Sequence, residues 1–140
     1  MMIGGYWVSD LIEIKHYDGK GYQPLVDFNT WRVAILHWER SLLPEEIEKM
    51  ERHTQTDEVF VLLDGKATLI LGGNSIKVDG IHPCNLEKCM LYNVKQDVWH
   101  TVLLSRDATI LIVENRDTGD DNTEYCPLAE EHKREIIALR

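Results

Sequence analysis

The sequence predicts an all-β sandwich or barrel that ends in a short helix. Short apolar runs of strand length follow one another along the chain, and turn signals rich in Gly, Asn and Asp separate them. The clearest turn is Asp64-Gly65, a strong hairpin signal between two alternating runs. Near the C-terminus, a proline followed by acidic residues and spaced apolar positions predicts a helix over 127–139.

The separate elements follow from local alternation and from the turn residues between them. We expect strands over 7–16, 31–38, 51–55, 58–63, 67–71, 76–79, 88–94, 99–104 and 108–114. Residues 82–85 are expected to form a loop, and 115–123 an exposed connector. The segment 44–50 favours either a short helical turn or an exposed acidic loop.

Length, charge and cysteine content limit the classes of protein. A chain of 140 residues fits one domain, and its apolar runs are too short to cross a bilayer. The net charge of -9 is repelled by phosphate backbones, so we expect no nucleic acid partner. The N-terminus lacks the pattern of a secretory signal, and three cysteines without paired metal spacing predict reduced thiols. These features predict a cytoplasmic protein.

The candidate binding groups lie in one short stretch. Glu51, His53 and Gln55 alternate, so on an extended backbone their side chains leave the same face. A polar turn follows, and Glu58 opens the next strand. Gln55 is a candidate for a hydrogen bond to a polar ligand, although it is equally suited to a turn.

The spacing of these residues resembles a known motif. Glu51-x-His53, four residues, Glu58, six residues and Gly65 is similar to the first motif of the cupin superfamily, whose usual form is His-x-His, three or four residues, Glu, six residues and Gly. Glu51 stands at the position of the first histidine. Glu45 stands where a glycine normally precedes that histidine by six residues.

A later segment resembles the second cupin motif, Pro-x-Gly-x-x-His with Asn four residues further on. Lys95 and Asp97 stand at the Pro and Gly positions, and Leu104 stands at the Asn position. Only His100 matches the motif unchanged. Together the two motifs and the strand-rich run between them extend the resemblance over roughly 31–116.

The resemblance implies the cupin double-stranded β-helix, a jelly roll of two sheets, with a short C-terminal helix. We expect one cupin domain over 1–140. Its motif-bearing barrel covers about 31–116, and a connector and the helix occupy 117–140.

The resemblance also assigns ligand positions. Carried over residue by residue, they fall on Glu51, His53, Glu58 and His100. Two imidazoles and a carboxylate can bind one face of a divalent ion, and mixed nitrogen and oxygen donors suit Zn, Mn, Fe or Ni without distinguishing among them. With Glu51 added, two carboxylates would make the ion a weaker Lewis acid.

The leading hypothesis is a metal-binding cupin that binds or acts on a small polar molecule, such as a sugar or an organic acid, in its barrel pocket. Whether it is an enzyme stays open, since one fold hosts many functions. The alternatives are a non-catalytic small-ligand-binding module and a degenerate cupin without metal, which the lost motif residues at Lys95 and Asp97 favour. In a purely structural interpretation, Glu51 turns to solvent, His53 is a hydrogen-bonded residue at the barrel mouth and His100 packs against neighbours.

Apolar residues on both faces of two strands, 59–63 and 109–113, predict that the outer face of a sheet is also covered. The resemblance to cupins, which are often dimers packed sheet against sheet, implies a homodimer. The N-terminal segment or the C-terminal helix of the same chain is the alternative cover.

Overall fold

Two five-stranded antiparallel sheets form the body of the protein. The computed structural model describes residues 2–3 and 6–140, with side chains from residue 9 onward. The strands of the described residues are β1 (Met2–Ile3), β2 (Tyr6–Val8), β3 (Glu13–Ile14), β4 (Gly21–Phe28), β5 (Trp31–His37), β6 (Lys49–His53), β7 (Glu58–Asp64), β8 (Ala67–Leu71), β9 (His82–Asn85), β10 (Leu91–Val94), β11 (His100–Leu104), β12 (Thr109–Asn115) and β13 (Thr123–Pro127). The α-helix α1 (Glu130–Ala138) follows them, and 3₁₀ turns lie at Arg40–Leu42, Pro44–Glu46 and Asp120–Asn122.

The chain passes repeatedly from one sheet to the other. The first sheet has the strand order β10-β7-β12-β5-β4 and the second β13-β6-β11-β8-β9. Successive strands β6, β7 and β8 therefore lie in the second, first and second sheets. This arrangement is the predicted double-sheet jelly roll with a C-terminal helix, so the predicted fold class is confirmed. Strands β1, β2 and β3 form a separate small sheet.

Inward-facing side chains of the two sheets form the main core. Phe60 on β7 is 3% exposed, and Ile110 and Ile112 on β12 are 0% and 2% exposed. Val102 on β11 joins the same cluster from the opposite sheet, and Leu104 packs against it. Burying each such side chain contributes roughly 1.5–3 kcal/mol, so this cluster is what holds the two sheets together.

A second apolar cluster covers the outer face of the second sheet. Met50 and Ile70 point outward from it, and Ile136 of α1 packs against them with no exposed surface. Trp99 joins this cluster at 2% exposure, and its indole N–H donates to the carbonyl oxygen of Ser75 at 2.9 Å. Trp99 therefore packs on the outer face of this sheet, and α1 covers that face.

The outer face of the first sheet is largely open. Its apolar side chains belong to all five strands and are Val26, Phe28, Trp31, Val33, Ile35, Val59, Val61, Leu63, Leu91, Leu111 and Val113. Phe28 is 58% exposed, Trp31 43%, Leu63 40% and Leu91 75%. A contiguous apolar sheet face of this kind is typical of interaction surfaces.

Several strands lie where the sequence did not predict them. The loop expected over 82–85 is β9, and the end of the expected connector is the start of β13. Residues 76–79, expected to be a strand, form a bend, and the strand expected over 7–16 is broken by a turn that the Ser9 N–H closes on the Ile12 carbonyl at 2.9 Å.

The C-terminal helix begins three residues later than expected, because Pro127 is the last residue of β13. The turn expected over 44–50 is the 3₁₀ turn Pro44–Glu46. None of the helices in the described part of the chain is long and apolar enough to cross a membrane.

The hairpin glycine Gly65 is required by its backbone. Its φ is +74°, and a Cβ built on it would lie 2.6 Å from the Cα of Ala108. We expect Gly65→Ala to lower the free energy of unfolding by about 1–3 kcal/mol, measured by urea denaturation. Gly119→Ala is the control, since Gly119 has an extended φ of -173° and the nearest atom to its added Cβ is 3.9 Å away. Equal effects of the two substitutions would contradict the backbone argument.

Candidate metal centre

Three strands bring the four predicted ligand residues to one end of the space between the sheets. Glu51 and His53 lie on β6, and His100 begins β11 and pairs directly with Glu51. Glu58 begins β7 in the facing sheet. One potential ligand atom from each of the four residues lies within 4.8 Å of every other. The cluster could therefore hold a metal ion.

Glu58 is the centre of this cluster. Its Oε1 atom lies 3.1 Å from His53 Nε2 and 2.9 Å from His100 Nε2. All three side chains are buried, with residue exposures of 5%, 7% and 4% for Glu58, His53 and His100. A single carboxylate oxygen thus meets both imidazoles away from bulk water.

The other ring nitrogens of the two histidines are held by neighbouring groups. His100 Nδ1 lies 2.9 Å from the Val98 carbonyl oxygen, which can only accept, so Nδ1 carries the hydrogen. His53 Nδ1 lies 2.9 Å from Thr123 Oγ1. Such partners fix the ring orientation of metal-binding histidines and leave Nε2 as the ligand atom.

The contact between His100 Nε2 and the Glu58 carboxylate requires a positive charge between the two atoms. With its hydrogen on Nδ1, neutral His100 would present a lone pair to the Glu58 oxygen, and the two would repel. Either a proton on Nε2 or a cation between the groups resolves this. Adjacent ligand atoms around an ion with bonds of about 2.1 Å lie roughly 3.0–3.4 Å apart. The observed separations near 3 Å fit that spacing.

In the absence of metal, protons occupy the cluster. Burial opposes charge on His100, but its hydrogen bond to Glu58 and the Glu58 charge outweigh burial and raise the pKa of His100 to about 9. The pKa of His53 is also raised, because the Glu58 hydrogen bond and charge outweigh burial. Burial works against the charge of Glu58 as well, but hydrogen bonds from both imidazoles hold its pKa well below the usual range.

Glu51 lies at the outer side of the cluster. Its Oε1 atom is 3.9 Å from both His53 Nε2 and His100 Nε2, and its side chain is 41% exposed. Burial and then the charge of Glu58 outweigh the imidazoles and raise its pKa. Glu51 thus lies beside the cluster while its side chain stays partly exposed to solvent.

Glu114 is a functional candidate that sequence reasoning missed. It lies on β12 at 7% exposure, and its Oε2 atom is 3.9 Å from His53 Nε2. The Tyr22 hydroxyl donates to its other oxygen. Burial, reinforced by the Glu58 charge, raises the pKa of Glu114 to about 7. The alternation with buried Ile110 and Ile112 placed Glu114 on the inner face, a signal that was available in the sequence.

Gln55 lies apart from these residues. Strand β6 ends at His53, so the alternation that grouped Gln55 with His53 does not continue. The Gln55 side chain is exposed, the residue does not line the cavity, and its carbonyl oxygen accepts from Asn115 Nδ2 at 3.0 Å. Ligand binding by Gln55 stays a prediction.

A cavity of about 660 Å³ opens above the cluster. Leu36, Phe60, Val102 and Ile112 supply apolar walls, and the Phe60 ring meets the His100 ring edge-on with centroids 6.0 Å apart. The volume is within the range of small-molecule sites, and apolar walls with a few convergent polar groups are typical of them.

The turn before His100 explains one departure from the family motif. Asp97, at the expected glycine position, adopts a φ of +68°. Its N–H donates to the His53 carbonyl oxygen at 2.9 Å, which ties the end of β6 to the start of β11. Aspartate tolerates this left-handed conformation better than most residues, so the backbone of the motif persists without glycine.

Substitution at Asp97 tests this explanation. We expect Asp97→Gly to leave the free energy of unfolding unchanged or raise it by up to about 1 kcal/mol, because glycine has no Cβ to strain at positive φ. Asp97→Val is expected to lower it by about 1–2 kcal/mol. Thermal and urea denaturation give both values, and a valine variant more stable than the glycine variant would contradict the assignment.

Comparison with solved structures identifies the same fold in several proteins. A Pac13 variant from Streptomyces, solved with uridine, has 10% identity and a TM-score of 0.57, covering 84% of this chain and 87% of that one. KdgF from Halomonas sp. has 13% identity and a TM-score of 0.50, with coverages of 71% and 80%. CapF from Staphylococcus aureus, a capsular polysaccharide assembling protein, has 16% identity and a TM-score of 0.55, covering 81% of this chain but 31% of that one.

These neighbours are cupin-type jelly rolls, and the chain has the cupin fold. The fold that the two motifs imply is thereby confirmed. At these identities the likeness establishes the fold alone. No protein-family model matches the chain, and the comparison with curated proteins gave no match.

Proposed function

We propose that the protein is a metal-binding cupin that binds or acts on a small polar molecule, such as a sugar or an organic acid. One observation supports this above the others. The Nε2 atoms of His53 and His100 both face Glu58 Oε1 at about 3 Å, while their Nδ1 atoms are held by other groups. This arrangement is suited to a divalent cation.

His53, Glu58 and His100 would hold the ion, with Glu51 as a fourth ligand at the cavity side. Two nitrogen and two oxygen donors suit Zn, Mn, Fe or Ni. When bound, such an ion polarises a carbonyl or hydroxyl oxygen of a ligand as a Lewis acid. Two carboxylate ligands would neutralise its charge and moderate that effect.

The remaining side chains of the cavity have roles of their own. Phe60, Val102 and Ile112 exclude water from the inner end, which strengthens every polar contact made there. Tyr22 and Glu114 form a hydrogen-bonded pair on the lining, placed to hold a hydroxyl group of a ligand.

The structural neighbours support a small polar ligand. Pac13 was solved with uridine, and it is described as a nucleoside dehydratase. An activity on a molecule of that size is compatible with the cavity volume of about 660 Å³.

Metal content tests the proposal directly. Protein purified without chelator, or reloaded with Zn, Mn, Fe and Ni in turn, is expected to hold about one divalent ion per chain by elemental analysis. Protein that takes up none of these ions would contradict the proposal and favour a degenerate cupin. In a turnover screen, His53→Ala would abolish activity of an enzyme, whereas a binding module would show no turnover before or after the substitution.

We also propose that the protein is a homodimer formed through the open outer face of the first sheet. The second sheet is covered by α1, whereas Phe28, Trp31 and Leu91 of the first sheet remain exposed. Two copies facing each other through this surface would bury the same residues on both sides, as a two-fold interface requires. The helix α1 of the same chain packs on the second sheet and so does not cover this face.

Light scattering after size-exclusion chromatography tests the dimer. We expect the mass of two chains at micromolar concentration, and Val113→Lys, at the centre of the open face, is expected to give monomers. Ile76→Lys, at an exposed apolar position outside both sheets, is the control. A wild-type monomer at micromolar concentration would overturn the proposal.

A further inference from the structure

The cavity above the metal cluster is strongly acidic. Its lining contains seven carboxylate side chains, Glu39, Glu46, Glu48, Glu51, Glu58, Glu114 and Asp120. Glu58 and Glu114 are buried at its inner end, whereas Glu46, Glu48 and Asp120 are exposed at its mouth. Among the described residues that line it, Lys49 is the one lysine, and arginine does not occur.

Few cations neutralise these carboxylates. Glu39 accepts a hydrogen bond from the Ser41 hydroxyl at 2.8 Å, and Asp120 accepts one from the Tyr125 hydroxyl at 3.0 Å. Glu48 is paired with Lys133 of α1 at 2.6 Å. The lysine of the lining, Lys49, lies over the Tyr125 ring with its nitrogen 4.3 Å from the centroid.

The charge balance disfavours anionic ligands. Glu48 is paired with Lys133, and the other six carboxylates are opposed by Lys49 and by either the protonated His53 and His100 or the divalent ion that they would hold, so the lining stays negative. A cleft lined by one sign of charge, with apolar walls behind it, focuses the field and repels molecules of the same sign. A carboxylate or phosphate group would also lose its hydration on entry without gaining an arginine partner.

The same lining is suited to hydroxyl groups. Carboxylates accept hydrogen bonds from hydroxyls, and such charge-assisted bonds are stronger than bonds between neutral groups. Leu36, Phe60, Val102 and Ile112 supply apolar surface for the carbon face of a ring. A hydroxyl-bearing ring therefore satisfies both parts of the lining.

We propose that the ligand is an uncharged molecule that carries a polyhydroxylated sugar ring, and that the cavity rejects its anionic counterparts. This inference rests on the proposed function of the same cavity, and it selects the sugar over the organic acid. Free sugars and nucleosides share this chemistry, so the experiment includes both.

Matched pairs of neutral and acidic molecules test the proposal. Calorimetric titration of the metal-loaded protein would compare D-glucose with D-glucuronate, D-galactose with D-galacturonate, and uridine with uridine 5′-monophosphate. At least one neutral member is expected to bind, and its acid to bind at least about tenfold more weakly at 20 mM salt. At 500 mM salt the ratio of the two dissociation constants, acid to neutral, is expected to shrink, because the Debye length becomes shorter.

A variant with fewer carboxylates in the lining tests whether the preference for neutral ligands arises in the cavity. Glu39→Gln, Glu46→Gln and Asp120→Asn together remove three negative charges from the lining, and the ratio is expected to fall to about threefold or less. The control triple, Asp18→Asn, Asp64→Asn and Glu131→Gln, removes three charges from exposed positions outside the lining. It is expected to keep the wild-type ratio.

The outcomes separate this inference from the metal proposal. All pairs would be measured with and without metal, and the metal content of each sample determined. An acid that binds as tightly as its neutral partner would overturn the charge inference, as would the failure of every neutral member to bind. Protein that takes up no metal on reloading but still prefers the neutral members would contradict the metal centre and leave the ligand class standing.

Discussion

Glu58→Gln is expected to lower the affinity of the protein for divalent metal by at least about 100-fold. Glu58 Oε1 is the atom that both imidazoles face, at 3.1 Å and 2.9 Å, and glutamine keeps the shape of the side chain while removing its charge. The loss therefore reports the missing carboxylate ligand and not an empty space. A competition titration against a chromophoric chelator measures the affinity, and circular dichroism shows whether the variant folds.

A nearby carboxylate provides the matched control. Glu48 lies at the mouth of the same cavity but outside the four-residue cluster, so Glu48→Gln makes the same charge change without removing a ligand. We expect it to alter metal affinity less than about threefold. If Glu58→Gln binds metal as tightly as Glu48→Gln does, the assigned centre is wrong.

Glu51→Gln tests whether Glu51 is the fourth metal ligand. The Glu51 oxygen is 3.9 Å from both histidines and its side chain is partly exposed, so its loss is expected to weaken metal binding by roughly tenfold. A loss equal to that of Glu58→Gln would show that the two carboxylates contribute equally. A loss no larger than that of Glu48→Gln would leave a three-residue centre.

The central strands of the fold could be predicted from the sequence, whereas three of the four edge strands of the two large sheets could not. Strands such as β5, β7 and β12 have a neighbour on each side and an inner face in the core, so their sequences alternate clearly. The missed strands β4, β9 and β13 each form an edge of a sheet, and each contains a proline. Edge strands tolerate proline and polar residues because one side of their backbone is unpaired, which removes the usual signal.

The candidate site was predictable to the extent that its residues lie on regular strands or on a recognisable motif. Glu51 and His53 alternate on β6, and His100 follows from the second motif. Gln55 was grouped with them only by continuing the alternation past the end of the strand. Glu114 comes from a distant strand without a motif, and only the facing of the two sheets brings it to His53.

Without metal, the protein is expected to lose stability as the pH rises from about 5 to 9. Glu114 has its pKa raised from 4.5 to about 7, first by burial, and His100 has its pKa raised from 6.5 to about 9, where the Glu58 hydrogen bond outweighs burial. Both groups bind protons in the folded state that the unfolded chain has released. The Glu114 contribution is complete below pH 4.5 and lost as the pH rises through 7, and the His100 contribution is complete below pH 6.5 and lost through 9.

Metal is expected to reverse this trend, since it binds the deprotonated histidines and its affinity rises with pH. Thermal unfolding of chelator-treated and metal-loaded protein at pH 5.5, 7 and 8.5 would therefore show an increase in Tm on metal loading that is smallest at pH 5.5.

The free energy of unfolding of the metal-free protein is expected to fall by roughly 2–5 kcal/mol across this pH range. Glu114→Gln is the control. It is expected to remove the Glu114 part of the stability loss, below pH 7, and to leave the part between pH 7 and 9. A metal-free Tm that rises from pH 5.5 to 8.5 would contradict the proton occupancy of the cluster, since Glu58, whose pKa is held low, contributes only to the loss of stability in acid.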